Sequence, residues 1–146
     1  MTQAAGGSIQ LVSYDEIKIG DRANISKTIT EFDIYQFAGI TGDFNPLHVN
    51  VEYAKKSVFQ ERIAHGVLTA GFISAVLGMK LPGPDTIYLS QNLNFKAPVK
   101  IGDTVMAEVE VLEKKDAKKI LRLRTTVTNQ FDHSVVEGEA VVMMQN

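Results

Sequence analysis

The sequence predicts an α+β domain in which an antiparallel sheet curves around one long buried helix. Two observations carry that expectation. Gly66 to Met79 is free of charge and apolar on nearly every side, and Gly78, Pro82 and Gly83 close it, so it reads as a core helix. From Thr86 onward the pattern changes to period two over several long segments, which is the signature of strands with one buried face. A helix from Gly66 to Met79 would be about 21 Å long, close to the length of a strand of about six residues, so such a sheet can wrap it.

The remaining elements follow in chain order. Met1-Thr2-Gln3-Ala4-Ala5-Gly6-Gly7-Ser8 has neither the basic start nor the apolar centre of a secretory signal, and residues 1–14 are expected to form a flexible tail on one domain spanning 1–146. Ala23 to Ile29 alternates apolar and polar side chains and reads as a strand. Thr30 can cap the helix that follows, with Asp33 near the acid position of a capping box. Phe32, Ile34, Tyr35, Phe37, Ala38 and Ile40 give that helix a broad apolar stripe, which Gly39 and Gly42 end. Thr41 to Asn50 reads as loop, and Asn50 caps a short helix through Val51, Ala54 and Lys55. Phe59 to His65 has no clear period.

After the long helix, Ile87 and Leu89 lead to Leu93 and Phe95, and Pro98 stops the run. Val105 to Val111, Ile120 to Val127 and Val135 to Met143 complete the strands. Glu113 to Lys119 is charged and fits an exposed hairpin turn better than a phosphate-binding patch. Lys-Ile-Gly-Asp occurs at 18–21 and again at 100–103, each time before a strand, and reads as two turns of one type. One helix wrapped by such strands is a hot-dog fold.

Composition narrows the function. The chain has 146 residues, 45% hydrophobic and 22% charged, which suits one globular core. It contains no cysteine, so disulfides, thiolate nucleophiles, iron–sulfur clusters and cysteine-ligated zinc are excluded. A net charge of -2 argues against a nucleic-acid partner, which would need a strongly basic face. The stretch from Gly66 to Met79 falls short of the roughly 20 apolar residues of a bilayer span, so no membrane partner is expected and the protein is placed in the cytoplasm.

The densest group of turn-forming and titratable residues is Gly42-Asp43-Phe44-Asn45-Pro46-Leu47-His48. It sets a carboxylate and an imidazole five positions apart across a proline-fixed loop. Gly, Asp, Asn and Pro are what turns ordinarily use, but Phe44 and Leu47 suggest that this loop packs on a core. Asp43 and His48 would then be partly desolvated and suited to moving protons. His65-Gly66 precedes the long helix, whose free first-turn N–H groups could hold a developing oxyanion. Without the Asp43 loop, Gly66 would read as a packing glycine and His65 as an ordinary flanking residue. His48, His65 and His133 lack the spacing of a metal site, and no Gly-x-Ser-x-Gly elbow is present.

Three blocks together resemble a known family over nearly the whole chain: Phe37 to His48, Ile63-Ala64-His65-Gly66-Val67-Leu68, and Phe95-Lys96-Ala97-Pro98-Val99 with Gly102-Asp103. They look like the MaoC-like (R)-specific enoyl-CoA hydratases. The resemblance implies a homodimeric hot-dog protein that adds water to trans-2-enoyl-CoA, with no cofactor beyond the coenzyme A of the acyl-CoA substrate. It implies that Asp43 and His48 are the catalytic pair, that Gly66 offers its N–H to the thioester carbonyl, and that Asn45 holds the loop. Ser74 would support the pair from the central helix. Leu77 and Val142 would set the floor of the acyl pocket and favour short chains. Lys55, Lys56, Lys96 and Arg62 remain equal as contacts for the coenzyme A phosphates. A hot-dog acyl-CoA thioesterase and a non-catalytic acyl-CoA binding protein are the competing readings, and a dehydratase of carrier-bound acyl chains would need a His–Glu motif that is absent here.

Overall fold

In a computed structural model, which describes residues 11–146, the chain forms an α+β hot-dog fold with one six-stranded antiparallel sheet. Strand β1 (Arg22–Thr28) precedes helix α1 (Glu31–Thr41), two short helices α2 (Pro46–Val49) and α3 (Val51–Lys55), and the long helix α4 (Gly66–Met79). Strands β2 (Thr86–Gln91), β3 (Asn94–Phe95), β4 (Thr104–Lys115), β5 (Ile120–Thr128) and β6 (Ser134–Met144) follow. The sheet order is β1-β4-β5-β6-β2, with β3 paired to β6 beside β2.

The period-two segments bury one face as expected. Val105, Ala107, Val109 and Val111 of β4 and Leu121, Leu123, Thr125 and Val127 of β5 are buried, and their neighbours are more open. α4 lies against this face through Thr69, Ala70, Ile73, Val76 and Leu77. The capping box at Thr30 and Asp33 forms in full, and Asn50 caps α3 by accepting from the Tyr53 N–H. Both Lys-Ile-Gly-Asp turns are alike: a glycine at φ of +92° or +94°, and an aspartate carboxylate that accepts from the lysine N–H at 2.8 or 2.9 Å.

Three expectations need correction. The segment 46–49 is helical where loop was expected, because Asn45 caps it and Pro46 begins it. The apolar stripe of α1 is mostly uncovered: only Ile34 and Ala38 are buried, while Phe32, Tyr35 and Ile40 are exposed. The flexible tail expected over 1–14 ends too late. Residues 1–10 lie outside the described part, but Tyr14 is buried and donates its hydroxyl to Asp116 at 2.8 Å. Burial, with Asp116 close by, raises that phenol to about 12. Lys114 fastens the same segment by donating to the carbonyls of Tyr14 and Ile17.

Where β2 gives way to β3, the chain crosses β6 at Gly138. The Asn92 carbonyl fills the space a β-carbon would need there, and Asn92 exchanges hydrogen bonds with the Glu139 backbone. Gly138→Ala is therefore expected to cost about 1–3 kcal/mol as an overpacked backbone contact. Gly39→Ala, where a β-carbon meets open space inside α1, should gain up to about 1 kcal/mol from helix propensity. Urea unfolding of both variants checks the pair, and equal effects would contradict the assignment of Asn92 as the obstacle.

Candidate active site

The loop after α1 is built by short-range hydrogen bonds. Gly42 ends the helix at φ of +82° with its N–H on the Ala38 carbonyl. Asn45 then acts twice: its side chain accepts from the Leu47 N–H at 3.0 Å, and its own N–H donates to the Asp43 carboxylate at 3.2 Å. One turn of α2 later, His48 is 9% exposed, and its Nδ1 lies 2.7 Å from the Ile63 carbonyl. A carbonyl only accepts, so Nδ1 carries a proton and Nε2 is the nitrogen left for the site.

Asp43 departs from expectation, since its side chain is exposed and not desolvated. Phe44, expected to pack inward, is 60% exposed, and only Leu47 and His48 turn towards the core.

His65, to which the sequence reading gives no role of its own, belongs to the site. It is 2% exposed, and its Nε2 lies 2.9 Å from the Asp43 carbonyl, so Nε2–H is the donor. Its ring packs, tilted, against His48 at a centroid distance of 3.9 Å and against Phe37 at 4.6 Å. Burial holds the His65 imidazole below the usual range and nearby His48 adds to this, while the hydrogen bond to Asp43 opposes both. One atom each of Asp43, His48 and His65 lie within 4.8 Å of one another, a donor set that a metal ion could also use. His48 Nδ1 and His65 Nε2 are engaged by main-chain carbonyls, which leaves one nitrogen of each ring. The available signal for His65 was its place beside Gly66 at the start of a helix; its contact to a loop 22 residues away has no trace in local pattern.

Gly66 opens α4 with no side-chain cap at its N-terminus, so its first N–H groups remain available. An added β-carbon would stand 2.7 Å from the Phe95 ring, which explains the glycine by close approach. Gly66, His48, Ile63, Thr69, Phe95 and Lys96 border one cavity of about 470 Å³. His48 and Gly66 border this cavity, whereas Asp43 does not: it lies within 4.8 Å of His48 and His65, with Asn45 hydrogen-bonded to it. Ser74 is elsewhere: it borders a separate groove of about 360 Å³ with Tyr88, Leu89 and Gln91, so the expected support of the pair within one chain is not what this geometry provides. Leu77 and Val142 are fully buried and border neither space. Of the four candidate cations, Arg62 is engaged by Glu31 and Tyr35 and Lys55 by Glu52, while Lys96, itself 4.0 Å from the Glu137 carboxylate, borders the cavity.

Residues 16–131 match the family described as MaoC like domain. An (R)-specific enoyl-CoA hydratase of Rhodospirillum rubrum is 56% identical over 131 residues, covering 90% of each chain. A 3-hydroxybutyryl-CoA dehydratase of Methylorubrum extorquens is 44% identical over 92% of this chain and 85% of its own. Among solved structures, an (R)-hydratase of Aeromonas caviae involved in PHA biosynthesis superposes with a TM-score of 0.85 at 41% identity, covering 88% of this chain and 97% of that one.

The neutral state of His65 has a consequence for stability. An unfolded chain takes up this proton near pH 6.5, while the folded chain resists it, so the unfolded state binds more protons below that pH. Stability should therefore fall as pH drops from 7.5 to 5.5. The urea midpoint is expected to fall less steeply in His65→Gln over that window; an identical slope in both proteins would show that His65 does not resist protonation. The carboxylates Glu31 and Asp33, both held below their usual range, act at lower pH and do not confuse the comparison.

Proposed function

The chain belongs to the MaoC-like domain family, and from that premise we propose that it is an (R)-specific enoyl-CoA hydratase, a hydro-lyase adding water reversibly to trans-2-enoyl-CoA. The observation that carries the reading is that His48 and Gly66 border one cavity while Asp43 lies within 4.8 Å of His48, in a chain 56% identical to a hydratase of that name.

Hydration at C3 needs a base for the water, a stabiliser for the enolate and an acid for C2. With Nδ1–H fixed on the Ile63 carbonyl, His48 offers Nε2 as an acceptor that orients the water. Asp43 takes up the proton as the water oxygen bonds to C3. Electron density moves from the double bond to the thioester oxygen, where the Gly66 N–H receives it. As the enolate collapses, the pair returns a proton to C2 through His48 and ends in its starting state. Exchanging the roles of Asp43 and His48 leaves the same balance. No electrons leave the substrate, so the coenzyme A it brings is the only carrier the reaction requires.

Lys96, at the border of the cavity, is the cation best placed for the coenzyme A phosphates. Leu77 and Val142, although they border neither the cavity nor the groove at Ser74, would limit the acyl chain to roughly four to six carbons through the packing of the core, a size shared by the substrate named for the Methylorubrum relative. The product, (R)-3-hydroxyacyl-CoA, would be formed in the cytoplasm and could supply a polyester precursor, in keeping with the involvement of the Aeromonas (R)-hydratase in PHA biosynthesis. The protein acts as a homodimer joined through β2. That strand lies at an end of the sheet, where Tyr88 and Leu89 are exposed beside the open face of α4 with Val67 and Met79. An apolar sheet edge of this kind needs pairing or cover. A second copy could also complete the groove at Ser74.

Asp43→Asn and His48→Gln should each lower the rate of crotonyl-CoA hydration, read as loss of ultraviolet absorbance of the conjugated thioester, by at least about 100-fold with little change in Tm. Near wild-type turnover in either variant would remove the pair from the mechanism. Release of free thiol without loss of the double bond would favour a thioesterase, and thermal stabilisation by crotonyl-CoA without turnover a binding protein. In the same assay octenoyl-CoA should be the poorer substrate for wild type and gain on crotonyl-CoA in Leu77→Ala; an unchanged ratio rules out Leu77 as the limit. Light scattering should give twice the 16.0 kDa chain mass at micromolar concentration, and a monomer mass would refute the β2 interface.

A further inference from the structure

The hydration mechanism leaves one buried group at the site without a task. His65 touches three parts of the machinery at once. Its Nε2–H reaches the main-chain carbonyl of Asp43, its ring packs against His48, and its own backbone begins the helix turn that presents the Gly66 N–H. Phe37 also lies against the ring, at a centroid distance of 4.6 Å. We propose that His65 is a positioning residue for the hydration, which ties the Asp43 loop to the N-terminus of α4 and braces the His48 ring, so that the proton pair and the oxyanion donor keep one geometry.

The loop needs such a tie. The bonds within it, from Asn45 to Asp43 and from Leu47 to Asn45, fix its internal shape but do not attach it to the helix. The hydrogen bond from His65 to the Asp43 carbonyl spans 22 residues and makes that attachment. The ring is also restricted to one protonation state. Nδ1 is buried and has no hydrogen-bond partner among the described residues. A proton there would create an unsatisfied buried donor beside His48, and among the described residues the titratable groups acting on the ring are His48 and Asp43. His65 thus donates through Nε2 and stays uncharged, and His48 carries any positive charge of the site without a competing charge beside it.

The inference rests on the hydratase reading for its kinetic readout only. His65→Phe keeps the packed ring and removes the donor. It should lower kcat about 10- to 100-fold, the scale of a displaced reacting group, with KM within about threefold of wild type. His65→Gln sets an amide N–H near the place of Nε2 and should recover at least about tenfold over the phenylalanine variant. His65→Asn sets its amide near Nδ1 and should recover nothing. Phenylalanine within threefold of wild type in kcat, or asparagine rescuing as well as glutamine, would overturn the proposal. Imidazole ¹⁵N shifts of the wild-type protein give a test independent of turnover and of how the variants fold: His65 should be the neutral Nε2–H tautomer from pH 8 to 6.5. The Nδ1–H tautomer or a doubly protonated ring at pH 6.5 overturns it as well. Should wild type fail to hydrate crotonyl-CoA, the hydratase reading falls while the tautomer measurement still decides whether His65 ties loop to helix.

Discussion

The need to cover α4 governs the rest of the molecule. A helix without charge or an adequate polar face cannot stand in water, and the hydrophobic effect drives it onto whatever apolar face the chain can offer. Here that face is the concave side of the sheet, formed by the alternate valines, leucines and alanines of β4, β5 and β6. Once α4 is seated, its first turn stands beside the segment 95–99, and the Ala64 N–H on the Val99 carbonyl holds the approach to the helix at that level. The cavity is the space left at the helix start, where a glycine allows the Phe95 ring to lie almost on the backbone. The site is thus a consequence of how the core ends.

Two imidazoles in contact have been given different states by their hydrogen bonds. His48 gives Nδ1–H to a carbonyl and leaves Nε2 towards the site, whereas His65 gives Nε2–H to a carbonyl and leaves Nδ1 in the interior. The two arrangements are opposite because the carbonyls of Ile63 and Asp43 meet different nitrogens of the two rings. Main-chain acceptors suit this purpose, since they cannot titrate and they move only if the backbone moves.

Much of this is legible in the sequence, and the exceptions have a common cause. α4, the long strands, the Thr30 capping box and the paired turns rest on period, capping residues and turn chemistry, all of which are local. The loop of Asp43 and His48 stands out because a stretch of a few residues holds both groups. Burial is legible only where periodicity forces it. Nothing local to Phe44 says that it turns outward, and nothing around Tyr14 says that Lys114 and Asp116, about a hundred residues on, will hold it down. Ser74 escapes sequence reasoning for a related reason: a position on a helix fixes a direction around the axis, but which neighbour lies in that direction is decided by packing. His65 looks idle in the sequence because its partners come from another part of the chain.

The twin Lys-Ile-Gly-Asp turns have an effect that reaches the site. One turn closes on Val111, with the Gly20 N–H donating to the Val111 carbonyl and the Val111 N–H to Asp21, and the other closes in the same way on Ile29 through Gly102 and Asp103. They sit at opposite ends of the β1–β4 ladder, like stops at both ends of a rail. A slip of even two residues, about 7 Å along the strand, would have to break both stops together. β1 runs directly into α1 and from there into the loop of Asp43, so a misregistered edge strand would carry the carboxylate several ångströms from the helix start it must face. The two stops therefore set the distance scale on which the chemistry depends.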